Sequence, residues 1–420
     1  MSTPHILVIN LHHAPYSYGG ATIVAEQVGR ALMRHHGARI SAVSLISRAD
    51  LVPYGVIKSE VAGCASYLIN LPGRREYALR YLNPEVAERV AQLIDSLGPD
   101  LVHVHCVQDV GAGVIEAAKA RGLPVVLSVH DFWWICERQF MIAANGQYCG
   151  QSPVRLDACR GCVENMSAAQ TRRDALFRQA AMADLVTYPS RFALDLCEGS
   201  GLAPGSGRVW ENGVYLPDAG FAQAQAARRA GDSRLSFGFV GGPSHMKGWP
   251  DIRRAFAGLS RSDFNVELVD GGLHTPWWKE ADMKGLPGTW RIHPRFEQEE
   301  MDAFYARIDV LLFMSKWKET FGLVIREALA RGIEVIQTDS GGATEHGAAK
   351  PGALIPIGAG PAPLRAALEA ALNAGVAQRT PPSITSFKDQ ADAFMCLTRP
   401  LLAPTPKAQA ARHGSWGSAA

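Results

Sequence analysis

The sequence predicts an α/β protein made of two Rossmann-like, doubly wound domains that face each other across a cleft. Short apolar runs alternate with helical patterns, which is typical of parallel sheets covered by helices on both faces. The series occurs twice, and 420 residues are too many for one ordinary core. The apolar runs cover residues 5–11, 40–46, 100–106, 124–130 and 184–190 in the first half, and 235–241, 264–272, 309–315 and 334–342 in the second.

The boundary between the domains is predicted near a soft, polar stretch. Asn212-Gly213 is a turn dipeptide, and the alanine-rich residues 217–233 that follow separate the two series. From Ala403 onward the chain is rich in Pro, Ala, Gly and Ser and is expected to form a flexible tail. The predicted divisions are an N-terminal domain (1–216), a C-terminal domain (217–385), a segment able to cross back to the N-terminal domain (386–402) and the tail (403–420).

Composition excludes several classes of protein. The chain has 42 basic and 40 acidic residues, a net charge of +2, which argues against a nucleic-acid binder that works through bulk phosphate neutralisation. No apolar run approaches the roughly 20 residues needed to span a bilayer. Residues 1–11 lead into a strand without a basic region or a cleavage site, so we expect a cytoplasmic protein. Its eight cysteines are not expected to form a disulfide framework.

One strand end in the second half has the pattern of a phosphate site. Ligands of doubly wound sheets bind beyond the carboxyl ends of the strands, and a helix is predicted to open there and run to about Ala330. A helix N-terminus offers unpaired amides and a positive partial charge. The small Gly322 lets a ligand approach the backbone of Leu323 and Val324, so these amides are predicted to bind a diphosphate.

Two carboxylates flank this helix start. Glu319 precedes the first turn, and Glu327 lies inside the helix. Carboxylates accept hydrogen bonds and therefore suit sugar and ribose hydroxyls rather than phosphate. The alternative is that both residues simply stabilise the helix macrodipole.

These features together resemble the family 4 glycosyltransferases, which are retaining enzymes of GT-B fold. The spacing of Glu319 and Glu327 is that of the family's E-x7-E region, and the N-terminal half follows the family's order independently. The resemblance extends to about residue 400. The further matching positions are Gly332, Gly341-Gly342 and Glu345 in the second half, and Gly19-Gly20, DLVHVHC (100–106) and HDFWWIC (130–136) in the first.

The resemblance implies a reaction and a role for each matched residue. A sugar would pass from a nucleoside diphosphate sugar to a hydroxyl of a glycan or lipid-linked acceptor, in polysaccharide or glycolipid assembly of the bacterial type. The anomeric configuration would be retained, and no cofactor would be required for catalysis. Glu319 would lie near the donor sugar hydroxyls, Glu327 on the ribose, and His130 beside the transferred sugar, with Gly19 and Gly20 in the donor-binding loop.

One position departs from the family pattern. The family usually has Arg and Lys five residues apart after the first strand of the second domain, whereas this chain keeps Lys247 and has Gly242 in the arginine position. A departing diphosphate needs its charge stabilised, so Lys247 is predicted to act in catalysis together with His130 and Glu319. His245, Arg295 and Lys318 are three candidates for additional phosphate or base contacts, and the sequence does not choose among them.

Three histidines lie on or at the end of predicted strands of the first half. His130 lies where ligands of an open α/β sheet bind, although a structural hydrogen bond to a neighbouring loop is the alternative. His103 and His105 face the same side of one strand, and one of them can be a satisfied core histidine. His105 is nearer the strand end and is the better candidate for the site.

Four cysteines form a cluster in sequence: Cys136, Cys149, Cys159 and Cys162. The last two have the two-residue gap of a zinc knuckle, so four thiolates could hold a structural zinc ion. The outer spacings are irregular, and free or partly paired thiols are the alternative. A metal here would shape a loop near the acceptor and would not catalyse.

Two further patterns leave alternatives open. Residues 73–82 mix basic and aromatic side chains, which could give a peripheral membrane contact or simply a solvated helix face. Trp133-Trp134 and Trp277-Trp278 are aromatic pairs, of which only the first lies near His130 and is a candidate acceptor contact.

Two other functions also fit the fold: a nucleotide-sugar epimerase, and a non-catalytic protein that binds nucleotide.

Overall fold

The computed structural model describes residues 3–17, 19–272, 275–349, 351–376 and 380–403. Over these residues the chain forms two sheets of mostly parallel strands, each covered by helices. The predicted two-domain α/β class is therefore confirmed. The predicted tail lies outside the described residues except for Ala403.

The N-terminal sheet has eight strands in the order β3-β4-β2-β1-β5-β6-β7-β8. All neighbours are parallel except the hairpin pair β3 and β4. The strands are β1 (His5–Ile9), β2 (Arg39–Ile46), β3 (Val56–Val61), β4 (Cys64–Asn70), β5 (Leu101–Val104), β6 (Val125–Ser128), β7 (Leu185–Tyr188) and β8 (Gly207–Val209). The helices are α1 (Gly20–His36), α2 (Pro84–Leu97), α3 (Gly113–Lys119), α4 (Met166–Ala180) and α5 (Arg191–Gly199).

The C-terminal sheet has five parallel strands in the order β11-β10-β9-β12-β13. The strands are β9 (Leu235–Phe239), β10 (Phe264–Val269), β11 (Thr289–His293), β12 (Val310–Phe313) and β13 (Glu334–Gln337). The helices are α6 (Phe221–Gly231), α7 (Trp249–Ala257), α8 (Glu280–Met283), α9 (Met301–Tyr305), α10 (Leu323–Ala330), α11 (Pro361–Ala374) and α12 (Phe387–Leu402). None of the helices in the described part of the chain has the length and apolar character needed to span a bilayer.

All nine strands expected from apolar runs are present, and four others were missed. The edge strands β3 and β11 are largely exposed and carry charged residues, so neither has a continuous apolar run. Strand β8 has only three residues. Strand β4 is buried, but its serine and asparagine interrupt the apolar pattern. Buried parallel strands are recognisable from sequence because both of their faces are covered.

Helix α2 illustrates how local sequence sets an element. The side chain of Asn83 caps its start by accepting a hydrogen bond from the backbone N–H of Val86 at 3.3 Å. Val86, Val90 and Ile94 recur at helical spacing and are buried. Gly98 ends the helix in the left-handed conformation, with φ of 56°.

The stretch that separates the two series (217–233) and the C-terminal segment (386–402) each contain a helix. Helix α6 lies in the stretch that separates the two series, and only its first residue, Phe221, is buried. Helix α12 packs against the N-terminal domain, with Phe387 and Phe394 in the core on the β1 side. The Nε1–H of Trp210 donates to the carbonyl of Gln390 at 3.0 Å. The chain thus returns to its first domain after completing the second.

Candidate active site

The two domains meet where the predicted phosphate helix begins. The Thr320 hydroxyl donates to the His130 carbonyl at 2.6 Å, and the Ser190 hydroxyl donates to the Thr320 carbonyl at 2.7 Å. A Cβ at Gly20 would lie 3.0 Å from Cδ1 of Leu323, so the glycine loop touches the first residue of α10. The structure therefore brings together Gly20, His130 and the start of α10, as the sequence order implied.

Glu319 is paired with Lys247. The Lys247 Nζ atom lies 2.8 Å from Glu319 Oε1, and the Ser315 hydroxyl donates to the same oxygen at 2.8 Å. The Lys247 ammonium also lies 5.8 Å from the ring of Phe313 and 5.7 Å from that of Trp317. The lysine side chain is 37% exposed and the glutamate 11%, so the cation is the more accessible partner for an anion.

Gly322 makes the turn that opens α10. Its φ of 81° lies in the left-handed region, and a Cβ there would lie 2.8 Å from Cβ of Ala343. Only glycine meets both conditions. Gly322 has no side chain with which to cap the helix, so no side chain of the N-cap residue occupies the amides of Leu323 and Val324.

Arg326 holds the start of α10 in place and was not among the residues singled out from the sequence. Its side chain is buried and lies over the ring of Phe321, 4.0 Å from the centroid. The guanidinium donates to the carbonyls of Phe321, Gly342, Ala343 and Glu345, the last three at 3.0–3.1 Å. Burial lowers the pKa of Arg326 to about 10, so it remains charged at neutral pH. A single cation thus ties the loop after β13 to the start of α10. The available signal was an arginine within an apolar helical run.

Glu345 links the loop after β13 to the N-terminal domain. Its two carboxylate oxygens accept the backbone N–H groups of Arg191 and Phe192, at 2.8 and 2.7 Å. These amides open α5, where a negative charge is stabilised by the helix dipole. The Ser190 hydroxyl caps the same helix end through Ala193 N at 3.1 Å. The resemblance pointed to Glu345 as a landmark, and the structure gives it an interdomain contact.

Glu327 is buried between α10 and α9. One of its oxygens accepts the hydroxyl of Tyr305 at 2.7 Å. Loss of solvent raises the pKa of Glu327, while the Tyr305 hydrogen bond and the Arg331 charge oppose that shift. In the described part of the chain, its Oε1 atom accepts no hydrogen bond, so one oxygen can accept a further donor.

Trp277 fills the space beside Gly242. The φ of Gly242 is +66°, and a Cβ there would lie 2.7 Å from Cε3 of Trp277. A Cβ at Gly271 would lie 2.4 Å from the same ring. The indole therefore covers the ends of β9 and β10, and it is 36% exposed. A side chain at position 242 is excluded both by the backbone conformation and by this ring. No role was assigned to Trp277 from the sequence, and its contact with Gly242 emerges only from the structure.

The three candidates for additional phosphate contacts differ in whether their side chains already have partners. Lys318 forms an ion pair with Asp339, 3.0 Å from its Oδ2 atom, and also donates to the carbonyl of Asp339. His245 and Arg295 are exposed, and neither side chain has a hydrogen-bond or ion-pair partner among the described residues. Only His245 and Arg295 could therefore meet an anion without first breaking a contact.

His130 is hydrogen-bonded to His105. The His130 Nε2 atom lies 2.8 Å from His105 Nδ1, and burial lowers the pKa of His130 to about 4, so its ring is neutral at pH 7. His103 is buried and bonded to the Ser128 hydroxyl at 2.8 Å. His103 is thus the satisfied core histidine, and His105 is the one next to the candidate site.

The four clustered cysteines line one cavity together with Trp134 and Arg172. All four are free thiols, and burial raises the pKa of Cys136 to about 11. Across the described ranges, no three His, Cys, Asp or Glu side chains are placed to hold a metal ion as they stand. The structural zinc site at Cys136, Cys149, Cys159 and Cys162 therefore stays a prediction.

In the basic and aromatic segment 73–82, the tyrosine rings face the core while most other residues lie at the surface. Arg75 and Arg80 each lie 3.5 Å from a carboxylate oxygen of Asp109. Tyr81 is buried, and Tyr77 packs against it edge-on with ring centroids 5.6 Å apart. Because the aromatic rings face the core, this arrangement favours the alternative of a solvated surface over a membrane contact.

Comparison with known proteins identifies the class. The family model described as Glycosyltransferase Family 4 matches residues 18–216, and the one described as Glycosyl transferases group 1 matches residues 223–379. The fold and these matches define a glycosyltransferase of GT-B architecture. The chain is a glycosyltransferase of the family 4 type: the family 4 model matches its N-terminal domain and the group 1 model matches its C-terminal domain.

Solved structures share this fold at low sequence identity. Sucrose-phosphate synthase from Thermosynechococcus elongatus is 18% identical, with a TM-score of 0.64 and 98% of each chain covered. The α,α-trehalose 6-phosphate synthase from Burkholderia multivorans is 15% identical, with a TM-score of 0.63 and 100% of each chain covered. Anabaena HepE, in complex with UDP-glucose, is 17% identical, with a TM-score of 0.58, covering 94% of this chain and 95% of HepE. No curated protein sequence matches this chain significantly.

Proposed function

We propose that this chain transfers a sugar from a nucleoside diphosphate sugar to a hydroxyl of a glycan or lipid-linked acceptor, with retention, in polysaccharide or glycolipid assembly. The observation that carries the proposal is the Lys247–Glu319 pair, 2.8 Å apart, beside the uncapped start of α10. A cation and free amides suit a diphosphate, and the adjacent carboxylate suits the hydroxyls of the sugar. The cytoplasmic location expected from the sequence is part of the proposal.

Different parts of the donor would bind to neighbouring residues of the C-terminal domain. The diphosphate would lie at Leu323 and Val324, where the helix dipole favours negative charge. The ribose hydroxyls would meet the remaining oxygen of Glu327. The structural likeness to HepE, which was solved with UDP-glucose and with UDP, supports a nucleotide-sugar donor for this fold.

Transfer with retention places the acceptor oxygen on the face from which the diphosphate leaves. The bond between the anomeric carbon and the phosphate oxygen breaks, and its electron pair stays with the diphosphate. The acceptor oxygen bonds to the anomeric carbon, and its proton passes to the departing diphosphate. Lys247 and the amides of α10 would stabilise the charge of that leaving group, and His130 would hold the sugar from the N-terminal side.

The test is a donor and acceptor panel. Purified protein is incubated with UDP-, GDP-, ADP- and TDP-sugars, with and without glycan and lipid-linked acceptors, and nucleoside diphosphate release is measured. We expect release from one donor class that depends on acceptor, persists with excess EDTA, is lost in Glu319→Ala, and yields a product of unchanged anomeric configuration. Release without acceptor and an epimerised sugar would indicate the epimerase. Nucleotide binding without release from any donor would indicate a non-catalytic protein.

A further inference from the structure

The hydrogen bond between His105 and His130 joins two imidazole rings in nearly one plane. Their planes differ by 13°, the ring centroids are 5.1 Å apart, and Nδ1 of His105 lies 2.8 Å from Nε2 of His130. Of two neutral imidazoles, one must donate through an N–H and the other must accept. The bond therefore couples the tautomers of the two rings.

Both rings are neutral at physiological pH. His105 is fully buried, and its neighbours in the described structure add positive rather than negative charge when they ionise. The His103 ring lies 3.9 Å from it, and His13 and His130 also face it. Burial and these three histidines hold the pKa of His105 well below its ordinary value. Each ring therefore carries a single N–H.

The second nitrogen of His105 decides which tautomer is favoured. Its Nε2 atom is buried and has no hydrogen-bond partner among the described residues. A proton on Nε2 would create a buried N–H without an acceptor, and such orphan donors are rare in folded proteins. A proton on Nδ1 leaves Nε2 with only a lone pair and lets Nδ1–H donate to His130.

We propose that His105 is a positioning residue that holds His130 in the tautomer protonated on Nδ1. His130 Nε2 accepts from His105, so the Nδ1–H of His130 is the group available to a ligand. On the proposed function, which this step presupposes, that N–H donates to a hydroxyl of the transferred sugar. The His130 backbone is held separately, because its carbonyl accepts the Thr320 hydroxyl at 2.6 Å.

The direct test is long-range ¹H–¹⁵N NMR of the full chain labelled at histidine, with the His130 signals assigned by their loss in His130→Gln. We expect a protonated Nδ1 and an unprotonated Nε2 in the wild type. In His105→Leu, much of the Nδ1–H population should shift to Nε2–H, because no group then donates to Nε2 of His130. In His105→Asn the amide can donate in place of Nδ1–H, so the wild-type tautomer should return.

The matched control is Ser128→Ala, which removes the hydrogen bond of the neighbouring His103 and leaves the His105–His130 pair in place. It should change the His103 signals and leave the His130 tautomer unchanged. A protonated Nε2 on His130 in the wild type, or an unchanged tautomer in a folded His105→Leu variant, would overturn the proposal. If His105→Leu does not fold, the wild-type spectrum alone decides.

Kinetics connects the tautomer to turnover. His105→Leu should lower kcat by roughly tenfold, the effect of losing one oriented hydrogen bond in the transition state, and His105→Asn should recover most of it. Failure of every donor to react would remove the proposed function but would leave the NMR result valid. A changed tautomer with unchanged kcat would instead remove the link between His105 and the reaction.

Discussion

The ammonium of Lys247 lies 2.8 Å from Oε1 of Glu319, so the residue predicted for phosphate and the residue predicted for sugar hydroxyls neutralise each other in the ligand-free protein. A diphosphate that binds the start of α10 would compete for this lysine. Binding of donor would then release one oxygen of Glu319 for the sugar. The pair is thus a preformed arrangement in which each partner keeps the other in place.

Replacement of Lys247 by Met should reduce turnover strongly. Among the described residues, Lys247 is the one cation that forms an ion pair with Glu319. Loss of one group that stabilises transition-state charge typically costs about 10²- to 10³-fold in kcat. Initial rates of nucleoside diphosphate release measure the effect. The control is Lys388→Met, whose partner Asp392 lies on α12 away from the site. A Lys247→Met enzyme with wild-type kcat would contradict the assignment.

Substitutions of Glu327 and Glu319 should affect nucleotide binding and turnover, respectively. Glu327→Ala should weaken nucleoside diphosphate binding by roughly tenfold or more, because a hydrogen bond to a charged acceptor is lost. Glu319→Ala should chiefly lower kcat. Calorimetric titration with nucleoside diphosphate and initial-rate measurements distinguish the two. Equal nucleotide affinity in wild type and Glu327→Ala would remove the ribose assignment.

An alanine at Gly242 should destabilise the C-terminal domain. It would strain a backbone with φ of +66° and press against Trp277, which together should cost about 1–3 kcal/mol. Gly146→Ala is the matched control, since Gly146 has φ of +78° but open space around it. Urea unfolding measures the free energy of unfolding of both variants.

A double-mutant cycle isolates the contact with the indole. Trp277→Ala should make Gly242→Arg less destabilising than it is in the wild type, because the ring no longer blocks the side chain. Additive effects of the two substitutions would show that the indole does not exclude an arginine.

Replacement of Arg326 by Met should be among the most damaging changes in the chain. It would remove the guanidinium that donates to four backbone carbonyls, three of them buried, and loss of such a network costs about 3–5 kcal/mol. Urea unfolding gives the loss of stability, and hydrogen exchange of residues 341–345 should increase. The control is Arg399→Met on the exposed face of α12. An Arg326→Met protein as stable as this control would disprove the clamp.

The buried histidines should make the fold acid-sensitive. Burial lowers the pKa of His103 to about 3 and that of His346 to about 4, from 6.5 in the unfolded chain. Below pH 6.5 the unfolded state binds protons that the native state does not, so stability present above that pH is lost as pH falls towards 4. The free energy of unfolding should fall by about 1.4 kcal/mol per pH unit for each of these histidines. Denaturant titrations of wild type and His103→Gln at pH 7, 6 and 5 measure it, and equal slopes in both proteins would contradict it.

Much of the architecture could be predicted because parallel strands buried on both faces leave continuous apolar runs. The start of α10 was equally recognisable, since Gly322 follows a strand and precedes a helical pattern. The edge strands β3 and β11 were not recognisable from the sequence, because one side of each faces solvent and carries charge. The contacts of Arg326 were also missed, because three of its four acceptors come from the loop after β13, which is distant in sequence.

The sequence by itself determined the two α/β domains and predicted the strand ends and glycine turns of the candidate site, because these features are local in the chain. The tertiary structure alone decided which of these residues touch. It paired Lys247 with Glu319, set His105 against His130, and folded Trp277 over Gly242. Such contacts depend on how loops from different strands close over the sheet edges, and no local pattern encodes that closure.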